Sequence, residues 1–188
     1  MRDFLLVIAG GLVSVLTIIV ERLIDRKGET RIYYKIITLP EMTGKPKGWG
    51  CISNGNELSF CVPMNIELYN TSNSTRIVRD FSLLAYDDER LVCKMSQVEQ
   101  IKGKNIIEYG SENNAYSFTI EPRTLQHQSC LFAYTIKLSQ KKAISFNKVK
   151  VRYYDEKDKT HVATIIDNLD NCWQSNLYEL DEDWQRLI

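Results

Sequence analysis

The sequence predicts an all-β, antiparallel sandwich carried behind one N-terminal membrane helix. Two observations predict the sandwich: apolar side chains recur with a period of two in about eight separate segments, and short polar connections without a convincing helix join them. One predicts the anchor. Residues 4–20 contain no charge, although the 188-residue chain carries 24 Lys plus Arg and 24 Asp plus Glu.

As a helix, residues 4–20 extend about 25 Å at roughly 1.5 Å per residue, the short end of a bilayer span. Leu23 and Ile24 add a turn if the stem of Arg22 lies along the helix and its guanidinium reaches the headgroups. Arg2 followed by an apolar run also suits a cleaved leader. Yet Val20-Glu21-Arg22-Leu23 offers no small-residue cleavage site, so residues 1–28 read as an anchor that is kept, with the bilayer contacted through residues 4–24. Arg22, Arg26 and Lys27 form a basic collar after the span, with Arg31 and Lys35 beyond it and Arg2 alone before it. Such a bias places the following domain in the cytoplasm of a single-pass membrane protein. Gly10 and Ser14, one helical turn apart beside Ala9 and Gly11, offer a small-residue face for homo-oligomer formation.

The β domain is expected over residues 32–170. Its first strand lies at 31–38, and residues 41–56, with four glycines and Trp49, read as a long loop with Trp49 against the core. Leu58, Phe60, Val62, Met64, Ile66 and Leu68 then alternate strictly, which puts all six on one face of the clearest strand. Residues 69–75 are turn-formers and 76–86 a second strand, so the two segments read as a hairpin. Asn70-Thr-Ser and Asn73-Ser-Thr match the glycosylation sequon there, and are read as turn chemistry. After the polar break 87–89 come strands at 90–95, 116–120, 130–138, 149–153 and, beyond the charged turn 155–159, 161–166. Alternation of this kind belongs to sheets buried on one face, unlike the continuous apolar strands of parallel α/β enzymes. Leu177, Leu180, Trp184, Leu187 and Ile188 follow helical spacing, with Ser175 or Asn176 as cap. Residues 171–188 are therefore expected to form an amphipathic helix packed on an open sheet edge or face.

This strand spacing and turn pattern resembles an immunoglobulin-like β-sandwich over residues 32–166. The chain departs from the disulfide-bearing antibody subtype. Cys61 falls on the opposite face from Phe60 and Val62, no Trp separates Cys61 from Cys130, and Gln128 stands where a tyrosine corner would be.

Five cysteines without a CxxC pair, at 51, 61, 93, 130 and 172, indicate reduced and mostly buried thiols. His127 and His161 are too few and too far apart to define a metal motif, and HExxH, GxSxG, GxGxxG and a phosphate loop are all missing. A Cys130–His161 pair is the one catalytic combination considered, against a core thiol and a surface imidazole. No cofactor and no enzymatic activity are expected. Zero formal charge argues against nucleic acid as partner. The candidate anion or partner surface is the outer face formed by Lys148, Lys150, Arg152 and Tyr154, with Tyr33 and Tyr34 added to it. The expected function is a membrane-anchored module that binds a protein partner at the cytoplasmic membrane surface. The alternatives are a membrane-linked effector sensing a nucleotide or other anion, and an anchored receptor domain outside the cytoplasm.

Overall fold

A computed structural model of the chain describes residues 11, 13–21, 27–37, 49–102, 105–108, 116–173 and 182–187. Residues 13–21 are helical, and Val13, Leu16 and Val20 expose half or more of their surface. Among the described residues no helix is long and apolar enough to cross a membrane. Residues 4–10 and 12 of the expected span, with Arg22 and Arg26 of its collar, lie outside the described residues, and Lys27 is exposed.

Twelve strands are described: β1 (Thr30–Ile36), β2 (Gly50–Asn54), β3 (Glu57–Asn70), β4 (Arg76–Asp87), β5 (Arg90–Lys94), β6 (Ser96–Lys102), β7 (Asn105–Glu108), β8 (Phe118–Ile120), β9 (Leu125–Lys137), β10 (Lys148–Tyr154), β11 (Thr160–Ile166) and β12 (Gln185–Arg186). They form two antiparallel sheets. One has the order β12-β1-β3-β9-β6-β7 with β2 also on β3, and the other β11-β10-β4-β5 with β8 also on β4. Each of the eight segments expected from alternation contains a strand. The six alternating side chains of β3, from Leu58 to Leu68, are all buried in a core shared with Phe81, Leu83, Val149 and Val151 of the facing sheet. Pro63 lies in the middle of β3 at the joint between two ladders, since β2 pairs up to Cys61 and β1 from Met64, and Ile37 N–H still donates to its carbonyl, so the missing N–H costs only a bond at the end of the β1 ladder.

Three expectations are corrected. β3 and β4 are not a hairpin: β3 pairs with β1, β2 and β9, whereas β4 pairs with β5, β8 and β10 in the other sheet. Residues 71–75 therefore form an arch across the core. Second, residues 50–54 of the expected loop are strand β2, closed on β3 by a turn at Gly55 (φ +59°). Residues 41–48 lie outside the described residues, and Trp49 packs edge-on to Phe60, 5.9 Å between ring centroids. Third, residues 185–187 of the expected C-terminal helix are extended. Gln185 and Arg186 pair with Tyr34 and Tyr33, and Leu187 N–H donates to Ile32 O, so this segment covers the β1 edge as a strand; residues 174–181 lie outside the described residues.

Asn70 holds the arch. Fully buried, it donates from Nδ2 to the carbonyls of Ser74, Ile120 and Glu121 and accepts at Oδ1 from the backbone and hydroxyl of Ser72. An amide so engaged is structural, which explains the sequon as turn chemistry. The segment leading out of the N-terminal helix is fastened to the same arch. Glu29 N–H donates to Thr71 Oγ1, Thr71 N–H donates to Glu29 O, and Arg76 Nη2 donates to Gly28 O. Gly28 has φ +116°, and a Cβ there would stand 2.7 Å from the Ser72 backbone, so only glycine fits this approach.

Candidate functional site

The site arises where β4 breaks its alternation. Val78, Phe81, Leu83 and Ala85 are buried, so the spacing is three residues before it becomes two, and Arg79 and Asp80 both turn outward. Register against β10 shows the same bulge, since Arg152 faces Ser82 while Tyr154 faces Arg79. Asp80 absorbs it in the left-handed region, φ +50°, with its N–H donated to Ser117 Oγ at 3.1 Å.

Three groups converge on the Asp80 carboxylate: Lys94 Nζ at 2.6 Å, Ser82 Oγ at 2.6 Å and Arg152 Nη2 at 3.0 Å. Arg79 pairs with Asp158 of the β10–β11 turn. The Tyr154 ring lies beside both guanidiniums, 6.0 Å from Arg79 and 5.5 Å from Arg152. Arg79, Asp80, Lys94, Ser117, Tyr154 and Asp158 line an open depression of about 590 Å³. Arg79, Lys94 and Arg152 against Asp80 and Asp158 leave one positive charge in excess. Arg152 Nε, buried beneath it, has no hydrogen-bond partner among the described residues.

Burial is the largest single influence on Asp80 and opposes its ionisation. The hydrogen bonds and charge of Lys94, with the bonds from Ser82 and Arg152, together outweigh it and hold the carboxyl below its ordinary 3.8. A depressed carboxylate stabilises the fold fully above its unfolded pKa, and that contribution is lost as pH falls through the lower folded value. Asp80→Asn is thus expected to flatten the acid limb of stability: in urea titrations between neutral pH and about pH 3, the wild type loses more than the variant.

Of the residues expected at the surface site, Tyr154 lines the depression and Arg152 reaches it through its bond to Asp80. Lys148 and Lys150 lie further along the same outer face. Lys148 is 3.9 Å from Glu89 and 3.8 Å from Asp167, whereas Lys150 is 3.4 Å from Glu89 and lies over the Tyr86 ring. Tyr33 and Tyr34 stand on β1 in the other sheet and are separate from this face. β10 is also an inner strand between β11 and β4, so its cations do not guard an edge. Arg79, Asp80, Lys94 and Asp158 went unrecognised in the sequence, because a bulge and the return of β5 and the 155–159 turn bring them together.

The five thiols are unbridged. Burial pushes Cys51 up to about 11, and Cys61, Cys93 and Cys130 up to about 12. Cys61 points away from the main core into a small cluster with Val98 and Ala133, as its register implied. His161 stacks on Tyr153 and meets Asp155 at 2.9 Å, while Cys130 lies in the other sheet. The Cys130–His161 combination is therefore not assembled. Among the described residues no His, Cys, Asp and Glu side chains cluster so as to hold a metal ion.

The model of the YopI Ig-like domain family matches residues 49–166, more than half of the chain. No curated protein matches.

Proposed function

The chain belongs to the YopI Ig-like domain family, and from that premise we propose that it is a single-pass, membrane-anchored interaction module whose sandwich works at the cytoplasmic membrane surface. The observation that carries this reading is the fastening of the β domain, through Gly28 and Glu29, directly behind a charge-free segment and its basic collar. A domain held this way is confined to a surface, which raises its effective concentration for protein partners there. Gly10 and Ser14 support self-association of the anchor as a further contact.

Flotation of the full chain with phosphatidylcholine vesicles tests the anchor. The chain is expected to float and to stay with the lipid through alkaline carbonate. A chain released by carbonate is peripheral and contradicts the reading.

The second reading, an effector that senses an anion, is favoured by one observation: two cations, Lys94 and Arg152, hold the Asp80 carboxylate at the depression, and a third, Arg79, is paired there only with the exposed Asp158.

A further inference from the structure

We propose that the depression at the β4 bulge binds the phosphate of an anionic lipid headgroup, with Arg79, Arg152 and Lys94 as its cations. This inference rests on the anchoring reading and deepens it.

The place in the fold argues for a lipid source. Arg76 at the start of β4 bonds to Gly28 O and pairs with Glu156 of the β10–β11 turn, so this turn and the arch share one end of the sandwich. Arg79 is three residues further along β4, about 10 Å at roughly 3.3 Å per residue. From Ile24, where the expected span ends, four residues reach Gly28, at most about 14 Å of chain. The depression therefore opens at the end of the domain that the anchor holds against the bilayer.

The chemistry argues for a phosphate. Arg79 carries a guanidinium that can grip two oxygens in one plane, and Arg152 and Lys94 add charge from the floor. Asp80 is held by three donors and stays. Asp158 is different: its side chain is 80% exposed on a turn, and its pair with a half-exposed Arg79 is of the kind that contributes little in water. A headgroup phosphate displaces Asp158 from Arg79 and exchanges a screened pair for a bidentate one. The turn carries Asp155, Glu156 and Asp158 against Lys157 and Lys159, so the attraction belongs to the depression and is not spread over that end.

The test is thermal unfolding of the full chain in phosphatidylcholine vesicles, with and without phosphatidylglycerol. Phosphatidylglycerol is expected to raise Tm by about 3–6 °C, Arg79→Gln to abolish the rise, and Asp158→Asn to enlarge it, each variant being referred to its own Tm in phosphatidylcholine. A rise that persists in Arg79→Gln belongs to the basic collar and overturns the proposal, as does a rise that Asp158→Asn leaves unchanged or reduces. Inorganic phosphate added to phosphatidylcholine vesicles separates the sources: an equal, Arg79-dependent rise there overturns the lipid assignment in favour of a soluble anion. A chain that fails to float with the vesicles overturns the anchoring reading and the lipid source together, whereas a chain that floats without a rise overturns this inference alone.

Discussion

Asn70→Ala is expected to destabilise the fold by about 3–5 kcal/mol, among the largest effects of any single polar substitution in the chain. Five hydrogen bonds end on this one side chain, and Asn70 and Ser72 are both fully buried. Removing the amide strands the Ile120 carbonyl and the Ser72 N–H away from water, and each unsatisfied group costs about 1–3 kcal/mol. The loss also reaches beyond the arch. Ser72 Oγ accepts from Arg76 Nε, and Arg76 holds Gly28 and Glu156, so the joint to the N-terminal segment loosens with it. Denaturant titration gives the measurement. A midpoint that moves by less than the equivalent of 1 kcal/mol means that the arch is not held by Asn70. Replacement by Asp keeps the acceptor for Ser72 but loses three donated bonds, so it does not restore the wild type.

Phe132→Ala is expected to cost about 3–5 kcal/mol for a different reason. Phe132 is fully buried on β9, with its ring 6.3 Å from Phe81 of the facing sheet and 5.1 Å from Tyr116. Tyr116 in turn accepts Leu131 N–H at its hydroxyl and donates to Val98 O, which ties the approach to β8 onto β9 and β6. Truncation opens a cavity between two sheets whose backbones are fixed by ladders on both sides, so collapse around it is limited. Calorimetry of the variant should show a Tm lower by about 6–15 °C. Phe132→Leu, which keeps most of the volume, should recover more than half of the loss; equal losses for Ala and Leu would point to the ring contacts rather than the cavity.

How much of this was legible depended on whether a strand kept its period. β3 does, with six core residues at alternate positions, and its sheet face could be assigned without a structure. β6 does not. Its pairing with β7 shifts register between Val98 and Gln100, and a strand with a bulge no longer reads as alternating. The same physics hid the candidate site, since Arg79 and Asp80 face outward together only because β4 bulges there. Turn residues at 69–75 announced a reversal but could not say whether it joined strands of one sheet or of two. That choice is made by bonds from Asn70 to Ile120 and Glu121, 50 and 51 residues away. At the C-terminal end, Trp184 and Leu187 fit a helical spacing, but the open edge of β1 offers backbone partners that a helix would leave unpaired. Lys148, Lys150 and Arg152 were legible as one outer face, while the carboxylates opposite them, Glu89, Asp167 and Asp80, come from other strands and turns.

The thiols bear on how the membrane placement is tested. All five are buried or half-buried, and four have their pKa pushed to about 11 or 12, so in the folded chain they react slowly with a maleimide on either side of a membrane. An introduced thiol is needed, and Ser139, exposed on the 3-10 turn Leu138–Gln140 at the end of the sandwich away from the arch, is the site for it. In intact cells expressing full-length Ser139→Cys, a membrane-impermeant maleimide is expected to leave position 139 unlabelled and to label it rapidly once the membrane is opened. Rapid labelling in intact cells would place the sandwich outside the cytoplasm and contradict the account.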